Sequence, residues 1–130
     1  MDNGNITLTE AEWSVMECLW DKSPRIGREI TEELEAKMGW SRSTTLTLLR
    51  RLEAKGAVAD VSEKGIKLFK PIVQKEDAAL RETENLLHRA YKGSISMLVN
   101  AFTKRQALSR EEIDELYSIL KSAEEANDNE

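Results

Sequence analysis

The chain is poor in thiolate and imidazole metal ligands: it has one cysteine and one histidine. Cys18 alone excludes an intrachain disulfide and a cysteine-built zinc or copper site, and with His88 as its only companion no metal and no cofactor is expected. Long apolar runs are missing too, since none approaches the roughly 20 residues that a membrane span needs. The opening residues Met1-Asp2-Asn3-Gly4-Asn5 are acidic and polar, whereas a signal peptide is basic and then apolar. A cytoplasmic protein with no membrane insertion is therefore expected. No Gly-rich phosphate loop, paired-carboxylate pocket or Ser/His/Asp set is found, so ordinary catalysis is not expected.

What the chain does have is charge, distributed unevenly. Its 130 residues are 40% apolar and 33% charged, which suits a helix-rich globular protein of one domain, or a small domain with a helical appendage. The net charge is -5 and the isoelectric point about 5.1, values that taken alone argue against a nucleic-acid binder. Residues 41–71, however, hold seven basic side chains (Arg42, Arg50, Arg51, Lys55, Lys64, Lys67, Lys70) against Glu53, Asp60 and Glu63. From residue 74 onward, eight basic residues face twelve acidic ones. A basic reading surface on one part and an acidic, self-associating part behind it account for both numbers.

Order along the chain sharpens this division. Thr9 and Glu12 form a capping box, Leu8 can staple onto Trp13, and Val15, Met16, Leu19 and Trp20 follow at helical spacing. Asp21-Lys22-Ser23-Pro24 breaks that helix. A second is expected from about Ile26 to Met38, with Ile30 and Leu34 inward and Glu29, Glu32, Glu33 and Glu35 in solvent, ending at Gly39. Ser41 is a good N-cap for a third helix that stops at Gly56. The period then changes, and Ala57 to Ser62 with Ile66 to Lys70 predict a hairpin around Glu63-Lys64-Gly65, closed by Pro71.

Three helices followed by a hairpin is the winged helix order, so residues 6–73 are expected to form a winged helix-turn-helix DNA-binding domain within a mainly α protein. Residues 74–122 read as a C-terminal helical dimerisation arm with a bend at Gly93 and a last helix opened by the Ser109/Glu112 capping box. Residues 123–130 are expected to be a disordered acidic tail. The arm carries more apolar side chains than it can cover alone. Leu87, Tyr91, Leu98, Phe102, Ile113, Leu116 and Leu120 are therefore expected to be buried against a second copy, giving a homodimer.

On a helical wheel of the third helix, Thr45, Leu48, Leu49 and Leu52 share one side, which must face the core. Ser43, Thr47, Arg50 and Ala54 fall opposite, flanked by Thr44 and Arg51. Short hydroxyls and an alanine let a groove wall approach, while the two arginines reach phosphate or guanine. Arg42 and Ser43 occupy the first turn, where free amides also favour a phosphate. Leu46 on the other flank either touches a thymine methyl or packs against the second helix or the wing. Lys64 near the hairpin tip, with Lys67 or Lys70 on the return strand, is expected to position the backbone of a double-stranded operator. Spacing of three along a strand cannot point all three lysines one way.

Other readings stay open at this level: a winged helix that docks a protein through its acidic helices, or a ligand- or redox-sensing regulator using Cys18. The cysteine sits among core positions and reads as a buried thiol, His88 as a surface or interface residue, and Trp13, Trp20 and Trp40 as core plugs.

Over residues 6 to about 122 the chain resembles the penicillinase repressor family, BlaI/MecI, and its copper-responsive cousins. The resemblance is carried by Leu8-Thr9-Glu10-Ala11-Glu12-Trp13-Ser14-Val15-Met16 running to Leu19-Trp20, by Trp40-Ser41 before Thr44 and Thr47, by Arg51-Leu52-Glu53-Ala54-Lys55-Gly56, and by Tyr91-Lys92-Gly93-Ser94 before Leu98-Val99. It implies a winged helix dimer that represses from a dyad-symmetric operator, commonly of β-lactam resistance genes or its own operon. In antibiotic-responsive members it also implies relief by cleavage of the arm at an Asn-Phe junction, triggered through a membrane-linked sensor protease. The matching stretch here is Asn100-Ala101-Phe102, with alanine in the asparagine position, so Ala101 and Phe102 are the candidate cleavage pair. Copper-responsive relatives use a C-terminal cysteine cluster, which this sequence lacks.

Overall fold

The computed structural model describes residues 6–105 and 107–129. Met1 to Asn5, on which the reading of the N-terminus rests, and Glu130 at the end of the expected tail lie outside them. Two compact units divide the chain, Met1–Leu86 and Leu87–Glu130.

In the first unit, α1 (Glu10–Asp21) opens with the expected capping box: the Glu12 amide donates to Thr9 Oγ1 at 3.1 Å and the Thr9 amide to Glu12 Oε1 at 2.8 Å. Helix α2 spans Gly27–Met38 and α3 Arg42–Lys55. Gly56 ends α3 at φ 81°, a left-handed value that costs a residue with a Cβ about 1 kcal/mol or more, and its amide donates back to Leu52 and Glu53. The hairpin is β2 (Val58–Asp60) and β3 (Leu68–Pro71), with Val58 opposite Pro71 and Asp60 opposite Phe69. At its tip Glu63 and Ile66 exchange both backbone hydrogen bonds at 3.0 Å across Lys64 (φ 54°) and Gly65 (φ 78°). Two successive positive φ values define the mirror-image turn whose twist suits a hairpin. Pro71 is the last residue of β3 and closes the hairpin, as expected.

A third strand, β1 (Arg25–Ile26), pairs antiparallel with Leu68 and Phe69, giving the order β1-β3-β2. The expected start of α2 at Ile26 therefore moves by one residue, because Ile26 is taken by the sheet.

Val15, Met16, Leu19, Ile30, Leu34, Leu49, Leu52, Val58 and Val73 fill the space between α1, α2, α3 and the hairpin. Each is almost fully buried and stabilises the fold by about 1.5–3 kcal/mol. The Trp20 indole N–H donates to the Val73 carbonyl at 3.0 Å, and Trp13 meets Trp20 edge to face at 5.2 Å, so both tryptophans pack as expected. Helix α4 (Lys75–Tyr91) is divided between the units. Ala78 in its first turns belongs to the core of the first unit, which runs to Leu86.

The second unit continues with α5 (Ile95–Arg105) and α6 (Arg110–Asp128). Lys92 and Gly93 adopt φ 50° and 83° and separate α4 from α5 at the anticipated place. Helix α6 starts on the Ser109/Glu112 capping box but runs to Asp128, which corrects the expectation of a disordered tail from residue 123. Ala123, Glu124, Glu125 and Ala126 are strong helix formers and simply extend the preceding turns.

Candidate nucleic-acid interface

Helix α3 divides as its wheel predicts. Thr45, Leu48, Leu49 and Leu52 are buried, whereas Arg42, Ser43, Thr44, Thr47, Arg50, Arg51 and Ala54 are exposed. The apolar residues lock the helix onto α1 and α2, which leaves the hydroxyls and guanidiniums outside as a rigid outward face.

Ser41 Oγ accepts from the Thr44 amide at 3.2 Å and shares hydrogen bonds with the Ser43 and Thr44 hydroxyls at 3.2 and 3.0 Å. One of the first-turn amides expected to be free for phosphate is thus occupied by the cap. No acidic side chain lies in that turn, so the positive end of the helix dipole is not offset by a carboxylate there.

Leu46 is half-buried and packs against the core. A Cβ added at Gly27 would lie 3.5 Å from Phe69 Cε2 and 3.7 Å from Leu46 Cδ2, so the start of α2, the flank of α3 and the wing converge at this point. Of the two readings of Leu46, packing against the second helix and the wing is present in the structure, with its outer part still open to solvent.

The three wing lysines differ. Lys64 and Lys70 are exposed and have no ion pair among the described residues. Lys67 Nζ instead lies 3.0 Å from Glu53 Oε1 on α3 and 5.0 Å from the centre of the Phe69 ring. Lys55, counted in the basic stretch, turns inward: its ammonium donates to the Thr7 carbonyl at 2.9 Å and to the buried Glu12 carboxylate. Two of the seven local cations therefore serve within the fold.

A groove of about 340 Å³ is lined by Gly27, Arg28, Arg42, Leu46, Leu49, Arg50, Glu53, Lys67 and Phe69. Four cations surround it, with one carboxylate among them. Arg28 is not expected there from sequence, since the second helix reads as an acidic solvent face. The available signal is Gly27-Arg28 at a helix start whose N-cap, Ile26, has no capping side chain.

The groups that suggested other chemistry are placed otherwise. Cys18 is buried, and burial first, then the Glu33 carboxylate, pushes its thiol up to about 12, where the reactive thiolate is absent at neutral pH. The Glu33 carboxyl is held below its ordinary value, chiefly by the Cys18 hydrogen bond. His88 is exposed on α4. Among the described residues no helix is long and apolar enough to cross a membrane.

In the second unit, neither α5 nor α6 contains a buried residue. Phe102 is 58% exposed, Leu120 64% and Leu116 39%, whereas Leu87, Tyr91, Leu98 and Ile113 are half-buried. Leu98, Val99, Phe102, Leu108, Leu116 and Ile119 line a groove of about 310 Å³ between α5 and α6. The Ala101–Phe102 pair stands inside α5.

Comparison with known proteins agrees with this arrangement. The chain is 33% identical over 120 residues to the methicillin resistance regulatory protein MecI of Staphylococcus aureus strain N315, covering 92% of this chain and 98% of that protein. It is 34% identical over 113 residues to the penicillinase repressor of Bacillus licheniformis, covering 87% and 88%. The solution structure of the monomeric form of Bacillus licheniformis BlaI in complex with the blaP half-operator superposes with a TM-score of 0.51, at 30% identity over 55% of this chain and 88% of that one. Residues 8–122 match the family described as penicillinase repressor, and a winged helix unit followed by helices with uncovered apolar faces is what that match spans, so this chain belongs to the penicillinase repressor family.

Proposed function

We infer that the chain is a sequence-specific DNA-binding transcriptional repressor that acts as a homodimer on a pseudo-palindromic operator. The observation that carries this reading is the outward face of α3, where exposed Thr47, Arg50 and Arg51 stand on a helix anchored by four buried neighbours. In this reading Arg42, Ser43, Thr44, Thr47 and Arg50 meet base edges and nearby phosphates, the open part of Leu46 meets a thymine methyl, and Arg51 and Lys64 face phosphates, with Lys67 at the same surface but paired with Glu53. Family membership and the operator complex of the BlaI relative support it.

Homodimerisation is supported by the apolar side chains of α5 and α6, none of which is buried among the described residues. The repressed genes are proposed to be those of β-lactam resistance or a related stress response, in keeping with the names of the relatives. Relief through a membrane-linked sensor protease is proposed at Ala101–Phe102. Because that bond is helical, α5 must unwind locally before it can enter a protease cleft. The protein is proposed to act in the cytoplasm.

Gel-shift titrations of operator and random duplexes test the DNA face. Arg51→Ala is expected to weaken binding to both duplexes alike and to make the slope of log affinity against log salt shallower by about 0.9 for each phosphate that Arg51 neutralises. Thr47→Ala is expected to lower the ratio of operator to random affinity instead. Wild-type affinity in both variants removes α3 as the reading element.

A further inference from the structure

Glu53 is the one carboxylate in a groove otherwise surrounded by Arg28, Arg42, Arg50 and Lys67, and it already holds Lys67 at 3.0 Å. Its side chain is 29% exposed and that of Lys67 51%, so the pair is formed at the surface that the reading above turns toward DNA. A carboxylate in that position presents to Lys67 the same kind of oxygen acceptor that a backbone phosphate presents. Lys67 cannot serve both at full strength, because its ammonium is already held by the Glu53 carboxylate and rests over the Phe69 ring at 5.0 Å.

We propose that Glu53 is an affinity-limiting residue of the DNA interface, an internal competitor that withholds Lys67 from phosphate and so keeps sequence-independent binding weak. The proposal rests on the assignment of α3 and the wing to DNA. Its physical basis is the counting of ions. A cation released from a phosphate-bound counterion atmosphere adds about 0.9 to the salt slope. While Glu53 holds Lys67, that ammonium neutralises no phosphate and releases no counterion. With Glu53 neutral, Lys67 is free to do so. Sequence-independent contacts strengthen by the same factor on every duplex, so the operator-to-random ratio is unchanged while binding to random sequences, kept weak in the wild type, rises.

The test compares wild type, Glu53→Gln, Lys67→Met and the double variant on operator and random duplexes from 50 to 200 mM salt. Glu53→Gln is expected to bind both duplexes more tightly. Over that fourfold range it should lose about 12-fold more affinity than wild type, the equivalent of about 0.9 in slope from each of two subunits. Lys67→Met alone is expected to leave the slope at the wild-type value, and adding it to Glu53→Gln should return the steepened slope to that value. If Glu53 instead acts by holding the wing in place, Glu53→Gln binds more weakly with an unchanged slope, and that result overturns the proposal. A wild-type protein that shifts no duplex overturns the DNA assignment itself, whereas a wild type that binds, with a Glu53→Gln slope equal to its own, overturns only the competitor role.

Discussion

Removing either member of the Glu12–Lys55 pair is expected to destabilise the protein, but by unequal amounts. Glu12 is 1% exposed, and it receives the Thr9 amide at 2.8 Å together with the Lys55 ammonium. Lys55 is 36% exposed and can return to water if its partner is lost. Glu12→Gln keeps an acceptor for the Thr9 amide and loses only the charge-assisted bond, so a cost of about 1–2 kcal/mol is expected. Lys55→Met strands a carboxylate in the interior, a class of change that costs about 3–5 kcal/mol. The double variant, with neither charge, should recover part of that loss.

The same pair predicts a pH dependence. Burial raises the Glu12 carboxyl, but the Lys55 hydrogen bond and the Thr9 backbone and hydroxyl outweigh it, so its pKa lies below the ordinary 4.5. A carboxyl depressed in the fold contributes stability that is complete above the unfolded value and is lost as pH falls through the folded one. Urea unfolding at fixed protein concentration, at pH 7 and again near pH 3, reads both effects. Wild type should exceed Glu12→Gln at pH 7, and the gap should close in acid. A gap that persists unchanged at pH 3, or a Lys55→Met protein no less stable than Glu12→Gln, refutes the reasoning.

Two further outcomes are expected. Phe102→Asp puts a charge on a side chain that the proposed dimer must desolvate, so sedimentation should show monomers at concentrations where wild type is dimeric, with the unfolding midpoint of the first unit little changed. Thr45 is fully buried and its hydroxyl oxygen has no hydrogen-bond partner among the described residues, so Thr45→Val should stabilise the protein by about 1 kcal/mol in urea titration; a destabilised variant means that the hydroxyl is satisfied in solution.

Where signals are local, the sequence reading and the structure agree closely. Thr9 with Glu12 and Ser109 with Glu112 mark their helix starts because both partners of a capping box lie within four residues. The division of α3 follows from its period alone. Strand β1 is not legible because two residues offer no alternation, and its pairing with Leu68 and Phe69 is a property of the assembled sheet. The inward turn of Lys55 and the capture of Lys67 are hidden for the same reason: each depends on a carboxylate that only the tertiary fold brings near. Composition counts both lysines as free charge, so the usable positive surface is smaller than the local excess suggests, while Arg28 adds to it from an acidic-looking helix. The extension of α6 to Asp128 is masked by acidity, which resembles a solvated tail although alanine and glutamate favour helix.

Because α3 is tied at both ends, by Ser41 at its start and by Gly56 and the inward Lys55 at its finish, it exists complete before any duplex arrives. In the proposed complex, association then carries no entropy penalty for winding this segment, and the stiffer partner sets the terms of fit. Mismatch between the two surfaces must be absorbed by the double helix, through bending or groove widening, which makes the deformability of untouched base steps a determinant of which sites are occupied.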